Sequence, residues 1–85
     1  MRRLLISYDL LERSRTQANL RALYAELNSF GAAQIQNSLW ALRTELSVPY
    51  VIAKLQGHFG PTDRLLVAEF GDFLSRKGIH RVPRL

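Results

Sequence analysis

The stretch LLISYDL, residues 4–10, is an apolar run that meets a single carboxylate, Asp9. A carboxylate at the end of a strand has two uses. It can hydrogen-bond the turn that follows or pair with a nearby arginine such as Arg13 or Arg64. It can also help hold a divalent cation beside a phosphate. Magnesium keeps several waters and takes one or two protein carboxylates, so one Asp per chain is a poor site. Two copies of Asp9 meeting across a twofold axis would make an adequate one, with Mg²⁺ or Mn²⁺ as the expected ion if the site is catalytic. In that reading Arg13, Arg15 and Arg64 are the candidates for phosphate contact.

Other chemistries fall away by elimination. The chain has no cysteine, which excludes disulfides, thiol catalysis and Cys-based zinc sites. His58 and His80 have no metal-ligand spacing and are expected as surface residues, one at the end of a helix and one in the tail. No Walker-type loop or GxGxxG fingerprint is present, so nothing cradles a nucleotide through glycine. Trp40 has two readings, packing in a core or stacking on a base of single-stranded nucleic acid.

Charge favours an anionic partner. Twelve Lys+Arg against seven Asp+Glu give +5 over 85 residues, with a pI near 10.5. Nucleic acid, DNA or RNA, is the commonest partner for such an excess. From Gly71 onward Arg76, Lys77, Arg81 and Arg84 face one acid, Asp72, which makes the tail an expected non-specific phosphate contact. The apolar runs are far shorter than the ~20 residues of a spanning helix, and the basic start MRRLL leads into no cleavage site. A non-membrane, cytoplasmic protein is the expectation.

The elements that must position these residues follow from periodicity. Alternation over 3–9 predicts a strand with Leu4, Ile6 and Tyr8 on one face and Arg3, Leu5, Ser7 and Asp9 on the other. Ser14 and Gln17 suggest a capping box for a helix whose stripe is Leu20, Leu23, Tyr24, Leu27 and Phe30, closed by Gly31. AAQIQNSLWALRT reads as two short strands around a turn at Asn37 and Ser38. Ser47 and Pro49 open a second helix that buries Val48, Val51, Ile52, Leu55 and Phe59. GPTD at 60–63 turns the chain into a last strand, 64–70. Beyond it, a helical turn at 73–75 and a short strand at 79–82 are expected.

The order β-α-β-β-α-β predicts an α+β, ferredoxin-like sandwich with antiparallel sheet order 4-1-3-2. One domain spans 1–70, with a basic extension over 71–85 that could pair with a second copy. The topology is expected to gather Asp9, Ser38, Leu39, Asp63 and Arg64 at one end of the sheet. The sheet face away from the helices should be fairly apolar, which points to burial against a second copy.

Three stretches carry a resemblance: SYDL at 7–10, GAAQIQNSLW at 31–40 and DRLLVAEF at 63–70. Their ordered set, within residues 3–70, resembles the CRISPR-associated Cas two family and its VapD-type relatives. SLWALRT followed by Ser47 is also similar to stand-alone SinR-family relatives. The resemblance implies a ferredoxin-like homodimer that binds nucleic acid. In some members an Asp matching Asp9 from each chain holds a metal for endonucleolytic phosphodiester cleavage; others are non-catalytic scaffolds between integrase subunits. By position, Ser38 and Trp40 match the family's Ser and aromatic, and Arg13 and Arg15 fall where it often has basic residues. The family's frequent Glu-Gly after the aromatic is Ala41-Leu42 here. Two other readings stand beside this one. The first is a protein-interaction module whose sheet serves only for contacts. The second is an RNA-recognition motif, whose aromatic-rich third strand is missing from SLWALRT.

Overall fold

The computed structural model of the chain describes residues 1–11 and 14–71. The expectations placed on Arg13, on Arg76, Lys77, His80, Arg81 and Arg84, and on the helical turn and strand beyond 71 lie outside the described residues.

Six elements and a 3₁₀ turn follow one another: β1 (Arg2–Asp9), α1 (Gln17–Ser29), β2 (Ala33–Gln36), β3 (Leu39–Thr44), α2 (Val48–Leu55), the turn Gln56–His58, and β4 (Arg64–Glu69). The sheet order is β2-β3-β1-β4, the predicted order read from its other edge. β1 lies between β3 and β4 and is antiparallel to both.

β1 alternates as its sequence demands. Leu4, Ile6 and Tyr8 are buried, whereas Arg3, Leu5 and Ser7 are only partly covered. The buried set packs with Leu23 and Leu27 of α1, Trp40 and Leu42 of β3, Val51 and Leu55 of α2, and Val67 of β4. Each fully buried aliphatic of this kind contributes about 1.5–3 kcal/mol relative to exposure, so this face sets the fold.

The helix ends show why each helix starts and stops. α1 is capped by Thr16, whose side chain accepts from Asn19 N at 3.1 Å, and not by Ser14. The capping-box expectation was two residues early because Ser14 is engaged elsewhere. At the other end Gly31 takes φ +83°, and its N–H and that of Ala32 donate to the carbonyls of Asn28 and Leu27. These are the two bonds of a Schellman closure, and the positive φ suits glycine. Ser47 caps α2 by accepting from Tyr50 N at 3.2 Å, with Pro49 in the first turn. Pro there removes no bond the helix would make.

Trp40 belongs to the core. Its residue is 4% exposed, its ring lies 5.5 Å from that of Tyr24, and its Nε1–H donates to Tyr8 Oη at 3.1 Å. The β1–β3 register pairs Trp40 with Ile6, which turns the indole toward the helices. It therefore presents no free ring to a nucleic-acid base, and the stacking role expected of it is withdrawn.

Burial pushes the Tyr8 phenol up to about 12; the indole N–H beside it acts in the opposite, weaker sense. Because the folded-state value lies above the ordinary 10.0, the associated stability is complete below pH 10 and is lost as pH rises toward 12. Tyr8→Phe leaves a buried indole donor without its acceptor and should cost about 1–3 kcal/mol in urea unfolding at neutral pH. The same variant should lose stability less steeply than wild type between pH 10 and about 12. Parallel slopes would mean that Tyr8 is not the titrating group.

Candidate nucleic-acid interface at the end of the central strand

The antiparallel pairing of β1 with both neighbours brings separate parts of the sequence to the end of β1. Asp9 is the register partner of Arg64 at the start of β4. On the other side Tyr8 N–H donates to Ser38 O at 3.1 Å, in the turn between β2 and β3. Asp9, Ser38 and Arg64 thus stand together, as the topology predicts. Asp9 and Arg64 are both exposed. No described residue forms an ion pair or hydrogen bond with the Asp9 carboxylate, Arg64 included. Arg15 is exposed in the connection to α1, where its N–H donates to Leu11 O at 2.9 Å. That bond links it to the chain two residues past Asp9.

Ser38 holds an unusual backbone conformation for its type, with φ +65°. The neighbouring register shift between Gln34 and Gln36 lets a short turn close at that point. An L-residue in the left-handed region costs roughly 1–2 kcal/mol, so the position would suit glycine, yet a serine occupies it.

The second acid of the cluster has a different fate. Asp63 Oδ1 accepts from Leu11 N at 2.8 Å, and Oδ2 accepts from Gly60 N at 2.6 Å. The Ser14 hydroxyl also bonds this carboxylate and is the main cause holding its pKa below the ordinary range, followed by the Leu11 and Gly60 N–H groups. Because that pKa is depressed, the contribution is present above the ordinary 3.8 and is lost as pH falls through the lower folded value. The turn is also tight around glycine: a Cβ on Gly60 would lie 3.1 Å from Ser14 Oγ and 3.4 Å from Asp63 Oδ2.

A polar belt continues from there. Asn19 Nδ2 donates to Ser14 O at 2.7 Å and to His58 O at 2.9 Å. His58 Nε2 lies 2.7 Å from Glu26 Oε1. His58 was expected at the surface; it is instead largely covered against α1, because the 3₁₀ turn swings it onto the helix. Sequence reasoning placed Asp63 at this end of the sheet but missed its role as the acceptor of the loop, and it missed Ser14, Asn19 and the Glu26–His58 pair as its partners in the belt. The one available signal was an Asp closing a Gly-Pro-Thr turn, where its side chain can bond nearby backbone.

Within one chain these groups do not make a cation site. Both Asp63 oxygens already accept N–H donors, which leaves Asp9 as the unengaged carboxylate of the cluster. Among the described residues no three His, Cys, Asp or Glu side chains come together as metal ligands. The donor chemistry of Asp9 suits a hard cation only when a second carboxylate and phosphate oxygens are supplied from outside the chain.

The open face of the sheet extends from this cluster. In rows across it stand Arg43 with Arg3, Ala33–Ala41–Leu5–Ala68, Leu39–Ser7–Leu66, and Asp9–Arg64. Leu66 is 62% exposed, and neither Leu5 nor Leu39 packs against the core. Among the described residues no helix is long and apolar enough to cross a membrane. No protein-family model matches the chain, and no curated protein matches it at a significant level.

Ser38→Gly separates the fold from the site. Relief of the positive φ should raise stability by about 0.5–1 kcal/mol, read from the urea midpoint. Loss of the hydroxyl should at the same time weaken any nucleic-acid binding that uses it. A variant that is more stable and binds equally well would remove Ser38 from the interface.

Proposed function

We propose that this protein is a nucleic-acid-binding homodimer in which the Asp9 carboxylates of two copies meet to support metal-dependent phosphodiester cleavage. The observation that carries the reading is the exposed Asp9, unengaged by any described residue, at the rim of an apolar sheet face that no described helix covers. The basic charge of the chain and the resemblance of SYDL, GAAQIQNSLW and DRLLVAEF to the CRISPR-associated Cas two family support it. Asp9 of each copy would hold Mg²⁺ or Mn²⁺. Such a cation neutralises charge on a phosphate and acidifies a bound water. Arg64, and Arg15 in the neighbouring loop, supply positive charge that draws in and orients the nucleic-acid backbone. Ser38 offers a neutral hydroxyl to the same phosphate.

A second reading, a scaffold that binds nucleic acid or a partner protein without cleaving, is favoured by one observation. Each chain offers one free carboxylate in the cluster rather than a ready-made ligand set. Asp9→Asn distinguishes the two. It keeps size and most hydrogen bonding while removing the charge, so the catalytic reading expects metal-dependent cleavage to fall by about 100-fold or more. Binding without metal should hold or improve, because two negative charges facing phosphate are gone. Single- and double-stranded DNA and RNA, each with and without metal, are the substrates. Cleavage untouched by the substitution removes Asp9 from the mechanism, and no wild-type cleavage on any substrate selects the scaffold.

Leu66→Glu tests the dimer separately. A glutamate on a buried face leaves a charge without a partner, so the variant should shift to the 9.7 kDa monomer in light scattering. Its far-UV spectrum should stay that of the folded chain, since Leu66 makes no core contact. An unchanged dimer mass would place the subunit contact elsewhere.

A further inference from the structure

We infer that Asp63 is a positioning residue for Asp9: its carboxylate sets the path by which the chain leaves β1, and thereby the direction in which Asp9 projects. The inference rests on the reading of Asp9 as the functional carboxylate, and the geometry argues it residue by residue.

Asp9 is the last residue of β1, where the sheet holds the chain on both sides, through the pairing of Asp9 with Arg64 of β4 and through Tyr8 N–H and Ser38 O. Immediately after it, Leu10 is buried and anchors the backbone by packing. Leu11 is different. Its side chain is exposed, so packing does not hold it, yet both of its backbone groups are bonded. The N–H donates to Asp63 Oδ1 at 2.8 Å, and the C=O accepts from Ser14 N and Arg15 N, each at 2.9 Å. Beyond the packing of Leu10, the exit from β1 is fixed by polar bonds, and among the described residues the bond that ties Leu11 to a distant part of the chain is the one to Asp63.

The clamp is itself anchored. Gly60 N–H holds the second oxygen of Asp63, and Asp63 N–H donates back to Gly60 O at 3.2 Å, so the carboxylate is presented by a closed turn. The Ser14 hydroxyl joins the same carboxylate from the far side of the loop. Ser14 O is in turn held by Asn19, which also grips His58 O. One carboxylate thus closes the β1–α1 loop from both ends and fastens it to the start of β4. A side chain with a single acceptor oxygen cannot do this, because two N–H donors approach its two oxygens.

Asp63→Asn retains the shape and sets an NH₂ against one of those two donors, while Asp63→Glu retains both oxygens. Amide exchange and the Hα–Hβ couplings of Asp9 should be measured by NMR in wild type and both variants, before and after Mn²⁺ addition. In Asp63→Asn, exchange at Leu11 should accelerate by about tenfold or more, and the Asp9 couplings should move from one rotamer toward the average of several. Exchange at Ile6 and Leu42 should stay slow, showing an intact core. Asp63→Glu should recover part of the Leu11 protection and of the Asp9 rotamer preference. Unchanged Asp9 couplings in Asp63→Asn, with or without faster exchange at Leu11, would reduce Asp63 to a loop staple and overturn the inference. The Mn²⁺ arm, run with a short oligonucleotide present to supply phosphate oxygens, judges the other reading: wild type without broadening centred on residues 8–10 refutes the metal role of Asp9, and the metal-free couplings still decide the role of Asp63.

Discussion

Everything in this molecule depends on the register of β1. Its side chains alternate so that Leu4, Ile6 and Tyr8 enter the core while Arg3, Leu5, Ser7 and Asp9 stand on the open face. A slip of one residue against β3 and β4 would exchange the two sets. Two charged groups would then be forced beneath the helices, and three large apolar ones would face water. An unpaired buried carboxylate is far more costly than any gain a shifted strand could offer. Asp9 thus helps enforce the register that exposes it.

The core and the polar belt divide the work of holding the fold. The apolar face of β1, with Leu23, Leu27, Val51 and Leu55 above it, fixes where the helices lie. Past Leu10 it leaves the loops at the Asp9 end of the sheet undetermined, since Leu11 is exposed and Ser14 is polar. Those loops are fixed by Asp63, Asn19 and the Glu26–His58 pair. Hydrogen bonds to a charged acceptor are stronger than neutral ones, and they are directional. A belt of this kind suits the rim of a site, where packing alone would leave several loop conformations of similar energy.

Trp40 and His58 show where reading residues one at a time falls short. A lone Trp on a short strand has no side assigned by local pattern, because SLWALRT is apolar on both faces. Its side was decided by the pairing of Trp40 with Ile6 and by the presence of the Tyr8 hydroxyl as an acceptor. His58 follows a helix that ends early, and only the packing of the 3₁₀ turn on α1 brings it to Glu26. Ser14 looked like a cap because its spacing to Gln17 is right; it was drawn away by Asp63, far along the chain.

By itself the sequence determined the element order, the buried stripe of the first helix and of the second as far as Leu55, the closure at Gly31, the cap at Ser47 with Pro49 in the first turn, and the face to which each β1 residue belongs. Phe59, expected on the second helix, lies beyond the 3₁₀ turn that ends it. These are short-range matters, settled by period, by φ preference and by which groups tolerate loss of water. It also determined that Asp9 would end the central strand. Only the tertiary structure decided that Asp63, and not Asp9, serves the turn, and that Trp40 is spent in the core. The physical reason is the same for both. A carboxylate binds whichever donors reach it and an indole packs wherever its N–H finds an acceptor, and those partners lie tens of residues away, brought close only when the sheet assembles.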